Sequence, residues 1–211
     1  MEPPTTQKMA AIAAAREHDL TLARRAASGD RSAQRELFHA QRNSVHHTLY
    51  RILGSNRDLE DLIQDSFLEI FRGLHSYRGD STLARWCQTI STRVAYLAIS
   101  RRKPPSIDLA LVQDQLANDD DTRREAQMRE LGRRLYAALD RIDPKQRIAF
   151  ALAVVDGLPL REVAQLTDST VVAVKTRVWR ARRDLMKRAS RDPVLSQYVA
   201  ELATTRKEVE P

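Results

Sequence analysis

Apolar residues recur every three or four positions along most of this chain, and nowhere do they alternate long enough for a strand. Asp30 is placed to cap a helix carrying Ala33, Leu37, Phe38, Val45, Leu49 and Ile52, closed by Gly54. Asp58 is placed to cap the next, with Leu59, Leu62, Ile63, Phe67, Ile70 and Leu74 on one face. Arg78-Gly79-Asp80 reads as a turn. Ser81 then opens a helix that turns Leu83, Trp86, Cys87, Ile90, Val94, Leu97 and Ala98 inward, and Pro104-Pro105 cannot continue it. Asp143-Pro144 is a cap followed by a first-turn proline, Gly157 ends that helix, and Pro159 opens another. The pattern predicts an all-α protein: two small helical domains joined by a flexible linker, the second containing a helix-turn-helix.

That last motif lies in residues 162–185, EVAQLTDSTVVAVKTRVWRARRDL. A short amphipathic segment meets the polar break Thr167-Asp168-Ser169-Thr170, and a basic segment follows. Val174, Val178, Ala181 and Leu185 mark its buried stripe, while Thr176, Arg177, Arg180 and Arg183 occupy another side. A helix with one apolar stripe and one arginine-rich face, joined by a tight turn to a shorter helix, suits a DNA major groove. A merely solvated basic face is the plain alternative. Against it, Asp184 is the one acid among seven basic residues between Lys175 and Arg188.

Charge divides the chain in the same way. Overall, 35 Lys and Arg face 28 Asp and Glu, a formal +7. Residues 1–103 carry +5, 104–128 carry −4, 129–188 carry +7 and 189–211 carry −1. Two basic blocks around an acidic strip imply two nucleic-acid-facing domains and a tether. The expected division is an N-terminal extension over 1–19, partly disordered; a first domain over 20–103; an acidic linker over 104–128 containing Asp119-Asp120-Asp121; a second domain over 129–188; and a tail over 189–211. Cys87 is the only cysteine, so no intrachain disulfide forms; it reads as a packed core thiol in a reducing cytoplasm. No apolar run approaches a membrane span. Met9–Ala15 mimics a signal core only faintly, because Arg16, Glu17 and Asp19 follow at once; it reads as a frayed helical extension.

Two polar constellations stand out in the first domain. Asp61, Asp65 and Glu69 recur at i, i+4 and i+8 beside Asp58, Glu60 and Gln64, an acidic face better suited to a basic protein partner than to a metal. Arg85, Thr89, Thr92, Arg93 and Tyr96 line the polar side of the helix after Ser81, with Tyr77 and Arg78 in the preceding loop. Arginine interleaved with aromatics suits unpaired or distorted nucleic acid, where bases stack and phosphates pair.

Taken in order, the segments DLEDLIQDSFLEIF, YRGDSTLARWCQTISTRVAYLAISRRK and IDPKQR…REVAQL…VKTRVWRARRDL resemble the sigma-70 family of bacterial transcription initiation factors. The similarity is to the small, two-domain, extracytoplasmic-function type and covers roughly residues 20–188. The resemblance implies a non-enzymatic initiation factor with no cofactor, acting in the cytoplasm. Its implied partners are core RNA polymerase, through the beta-prime and beta subunits, and promoter DNA, with an anti-sigma factor as a further candidate. By motif, Asp61, Gln64 and Asp65 match the contact with the beta-prime clamp helices. Tyr77, Arg78, Arg85, Thr89, Thr92, Arg93 and Tyr96 fall in the element that melts and reads the −10 promoter region. Lys175, Thr176, Arg177, Arg180 and Arg183 fall in the helix that reads the −35 region. The linker in such proteins threads the polymerase cleft. This chain departs from the family pattern with Arg93 in place of a usual Asn, Leu97 in place of a usual Asp, and Val172-Ala173 before the VK pair.

Two rival readings have sequence support of their own. A helix-turn-helix regulator that never joins polymerase accounts for residues 160–188 but not for the acidic Asp58 helix. A metal-dependent phosphohydrolase would use His18-Asp19 with His39, His46, His47 and His75, but adjacent histidines point to different sides of a helix and the remaining ligand spacing is missing.

Overall fold

The structure is a computed structural model and describes residues 4–55, 58–101, 123–189, 192 and 195–196. Every regular element among these residues is helical. The order is α1 (Pro4–Ala27), α2 (Arg31–Leu53), α3 (Leu59–Gly73), a single 3₁₀ turn (Leu74–Ser76), α4 (Leu83–Arg101), α5 (Arg123–Leu139), α6 (Pro144–Phe150), α7 (Leu160–Leu166) and α8 (Val171–Ala189). The chain divides into two compact units, one formed by Met1–Leu49 with Asp58–Val94, the other by Tyr50–Arg57 with Ala95–Pro211.

In the first unit, buried residues come from all four helices: Leu22 and Ala26 of α1, Leu37 and Val45 of α2, Ile63 and Ile70 of α3, Leu83 and Cys87 of α4. Phe38 and Phe67 stack across α2 and α3 with ring centroids 4.5 Å apart. The cap expected at Asp30 is present, its Oδ1 accepting from the Ser32 and Ala33 amides. Arg25 donates to the same carboxylate and holds its pKa below the ordinary value.

Two helix starts differ from the sequence expectation. Asp58 precedes α3 in a left-handed conformation, φ 59°, with no capping bond from its side chain. α4 starts at Leu83 and not at Ser81: the Thr82 hydroxyl accepts from the Arg85 amide, and Asp19 of α1 accepts from the Leu83 amide at 2.8 Å. A helix start supplied by a residue 64 positions upstream leaves no local signal. Residues 4–19 are continuous with the rest of α1. Leu97, expected inward, is 48% exposed.

The second unit is built on α5 to α8. Leu135, Leu139, Ile142, Phe150, Ala181 and Leu185 make one cluster. Asp143 caps α6 as expected, accepting from the Lys145 and Gln146 amides at 3.0 and 3.1 Å. α6 continues through a π turn, Ala151–Val155, and the chain then reverses at Gly157, φ 72°. α5 starts at Arg123, so residues 123–128, assigned to the linker by composition, are helical. The rest of that linker, with Asp119-Asp120-Asp121, lies outside the described residues, as does most of the tail.

Arg147 is the largest fully buried side chain among the described residues. Its guanidinium donates to the carbonyls of Ile52 and Leu53 at 3.2 and 3.0 Å and pairs with Asp140. Those carbonyls end α2 and have no helical partner of their own. Gly54 follows them with φ 72°, and a Cβ there would lie 2.0 Å from the Tyr136 ring. Glycine is required on both counts. The Tyr136 hydroxyl donates to the Arg51 carbonyl, and burial pushes its pKa up to about 12.

Candidate nucleic-acid interface

Three helix faces carry the side chains in question. On α3, burial of Leu59, Leu62, Ile63, Phe67 and Ile70 leaves Asp61, Gln64 and Asp65 exposed on the opposite side. Residues three and four apart share a helix face. Leu68 therefore belongs to the same outer surface and is 53% exposed. An apolar side chain beside Asp65 at the edge of an acidic face suits a basic protein surface with an apolar spot, because the charges orient and the leucine excludes water. Glu60 and Glu69 at the flanks pair with Arg42 and Arg72.

The second face is α4 with the loop before it. Arg78 and Arg93 are exposed; Arg85, Thr89 and Tyr96 are half-buried. Two expected members are inside. Tyr77 is only 9% exposed, its ring lies 5.6 Å from that of Trp86, and its hydroxyl donates to the Ser81 carbonyl at 2.7 Å. Burial raises its pKa to about 12. As placed, the ring offers no open face to a base; it pins the Arg78–Ser81 loop. Thr92 is 3% exposed and its hydroxyl donates to the Gln88 carbonyl at 2.8 Å. Thr89 does the same to Arg85 at 3.0 Å. Both polar side chains are thus satisfied within their own helix, which lets a threonine occupy an interior position. Lys145 stands 5.8 Å from the centroid of the Tyr96 ring.

The third face is the helix pair α7 and α8. The expected polar break holds: Thr167 closes α7, Asp168 adopts φ 47°, and Ser169 donates its amide to Ala164 at 2.9 Å. The Thr170 hydroxyl accepts from the Ala173 amide and caps α8. Val174, Val178, Ala181, Leu185 and Ala189 are all buried. Each buried valine or leucine contributes about 1.5–3 kcal/mol toward holding the helix on that one side. Lys175, Thr176, Arg180 and Arg183 are exposed as expected, whereas Arg177 lies half-buried on the flank. In the middle of the exposed side stands Trp179, 59% exposed, with the Arg183 guanidinium 5.0 Å from its ring centroid.

Comparison with known proteins matches two separate stretches of the chain. A family model for sigma-70 region 2 matches residues 37–104, and one for sigma-70 region 4 matches residues 132–185. Together they cover more than half of the chain. The chain belongs to the sigma-70 family. Its relatives place it in the extracytoplasmic-function branch. An ECF RNA polymerase sigma-E factor of Haemophilus influenzae is 29% identical over 174 residues, 78% of this chain and 91% of that one. One of Salmonella typhi is 28% identical over 176 residues, 78% of this chain and 90% of that one. The solved structure of CnrH in complex with the cytosolic domain of CnrY shares the fold, with TM-score 0.55 at 21% identity, covering 82% of this chain and 98% of that one. Members of this family are non-enzymatic transcription initiation factors.

The region 2 match contains the α3 face and all of α4, and the region 4 match contains α7 and most of α8. Among the described residues, no group of three or more His, Cys, Asp or Glu is arranged to hold a metal. Asp19, half of the His18-Asp19 pair, is engaged in capping α4. No helix of the described residues is long and apolar enough to cross a membrane. Sequence reading named neither Leu68 nor Trp179, because on these two helices it collected only polar residues into the outer faces. The available signal was phase: each falls opposite the buried stripe of its own helix.

Proposed function

We propose that this sigma factor binds core RNA polymerase through the outer face of α3, captures −10 promoter DNA along α4 and reads the −35 element with α8. The observation that carries the reading is the pairing in one chain of an acidic face bearing Leu68 with a separate basic helix whose exposed side chains lie opposite a single buried stripe. A helix-turn-helix regulator acting without polymerase needs only the second of these. Asp61, Gln64, Asp65 and Leu68 form the polymerase contact. Arg78, Arg85, Thr89 and Arg93, with Tyr96 farther along the helix, form the −10 contact; Tyr77 and Thr92 serve it by packing. Lys175, Thr176, Arg180 and Arg183, flanked by Arg177, form the −35 contact. Arginines there set the register on phosphates and read guanine edges. The protein acts in the cytoplasm, and an anti-sigma factor is a candidate regulator.

The direct test is run-off transcription with core polymerase, with and without this chain, on genomic fragments that include its own upstream region. New transcripts that depend on the chain are expected. Asp65→Arg isolates the docking face. A like charge against a basic surface should lower polymerase pull-down at least ~10-fold, and the exposed substitution should leave the thermal melt in place. Undiminished pull-down removes the docking role from α3.

A further inference from the structure

Wherever the exposed side of α8 is directed, it presents a strip that is not uniformly basic. Val172 is 75% exposed, and Thr176, Trp179 and Met186 follow it along one line of the helix at intervals of four, three and seven. The Thr176 hydroxyl donates to the Val172 carbonyl at 3.0 Å, so its proton is committed to the helix and its methyl is what it brings outward. The Trp179 ring is held from one side by the Arg183 guanidinium, a contact that fixes both groups without removing either from solvent. Lys175, Arg180 and Lys187 flank the strip. A broad apolar strip between cations fits DNA, whose phosphates run along both edges of a groove with base edges at its floor.

On the floor of the major groove, the apolar group that a base presents is the C5-methyl of thymine. We propose that Trp179, with Val172 and the Thr176 methyl, reads thymine methyl groups in the upstream promoter element, and is a specificity-determining residue of this protein. The inference rests on the assignment of α8 to the −35 element and adds which base it selects and by what chemistry. Arginines of the same helix select guanines through paired acceptors; the indole has no acceptor and only one donor, so its selectivity comes from burying a methyl. Arg183 has a double role, as a DNA contact and as the group that keeps the indole in place.

The test uses holoenzyme assembled from core polymerase and the full chain. A randomised duplex library is selected for binding, and the preferred duplex is resynthesised with deoxyuridine in place of each upstream thymidine in turn. Uracil keeps the O4 acceptor and lacks only the methyl. At one or two positions, the wild-type protein should lose about 4-fold in affinity per methyl, the equivalent of ~0.8 kcal/mol. Trp179→Ala should bind the thymine and uracil duplexes equally while keeping the same salt dependence and the same melt; Trp179→Phe should retain part of the discrimination. If every uracil duplex binds the wild-type protein as well as its thymine parent, or if no thymine is selected in the upstream element, the proposal is overturned even when Trp179→Ala weakens binding, since the ring would then serve only to hold Arg183. If holoenzyme selects no upstream element at all, the assignment of α8 itself fails and takes the proposal with it.

Discussion

α4 and α8 are each 19 residues long, each carries arginines and threonines, and the sequence shows the same kind of periodic pattern in both. They are built differently. α8 buries one narrow stripe, Val174, Val178, Ala181, Leu185 and Ala189, and everything else can serve a ligand. α4 buries Leu83, Cys87, Ser91, Thr92, Val94, Ala95 and Ile99, positions that at 3.6 residues per turn sweep about half its circumference. A helix that buries one narrow stripe can separate packing from recognition by face. A helix that buries half its circumference has fewer positions left for recognition, and Thr92 sits inside with its hydroxyl satisfied by the Gln88 carbonyl.

The contrast is open to attack by mutation. Thr92→Asp places a carboxylate in the interior beside a packed backbone and should cost on the order of 4 kcal/mol, read as a lower urea midpoint. Thr176→Asp, the matching change on α8, should stay within ~0.5 kcal/mol of wild-type stability and act on DNA binding instead. Equal stability of the two variants would abolish the distinction between the helices. Next in size are Arg180→Ala and Arg183→Ala. A guanine contact predicts a loss of about 1–3 kcal/mol confined to particular upstream sequences. A phosphate contact predicts a uniform loss with the salt slope reduced by about 0.9. Titrations at several salt concentrations separate the two. Arg183→Ala should also relax discrimination by Trp179, which Arg180→Ala should not.

Smaller effects belong to the buried tyrosine. Tyr77→Phe keeps the ring and loses the bond to the Ser81 carbonyl, a cost of about 1 kcal/mol by chemical denaturation. Its pH dependence has a definite sign. Burial raises the Tyr77 pKa from 10.0 to about 12, so above pH 10 the unfolded chain gives up the phenolic proton first. The stabilising contribution is whole below pH 10 and fades as pH climbs toward 12. Tyr136 behaves alike, with its pKa also about 12. Phenolate absorbance should show late-ionising tyrosines in the folded protein, one fewer in Tyr77→Phe; ionisation of every tyrosine near pH 10 would contradict the burial of both rings.

The caps at Asp30 and Asp143 and the buried stripe of α8 were legible in the chain because each depends on residues within a few positions of one another. The acidic face of α3 was legible for the same reason, a repeat of four on a helix with a clean apolar side. Short-range physics of this kind, together with motif order, determined the all-helical class, the helix-turn-helix and the family. What tertiary structure alone decided is of longer range. The start of α4 is completed by Asp19, the last carbonyls of α2 by Arg147, and Gly54 is required by a tyrosine more than eighty positions away. The same holds for which polar side chains of α4 face solvent and which aromatic of α8 does. An isolated helix has no inside. Its periodicity states where its faces lie, and the width of the stripe that the tertiary structure buries decides how much of the helix remains for a partner.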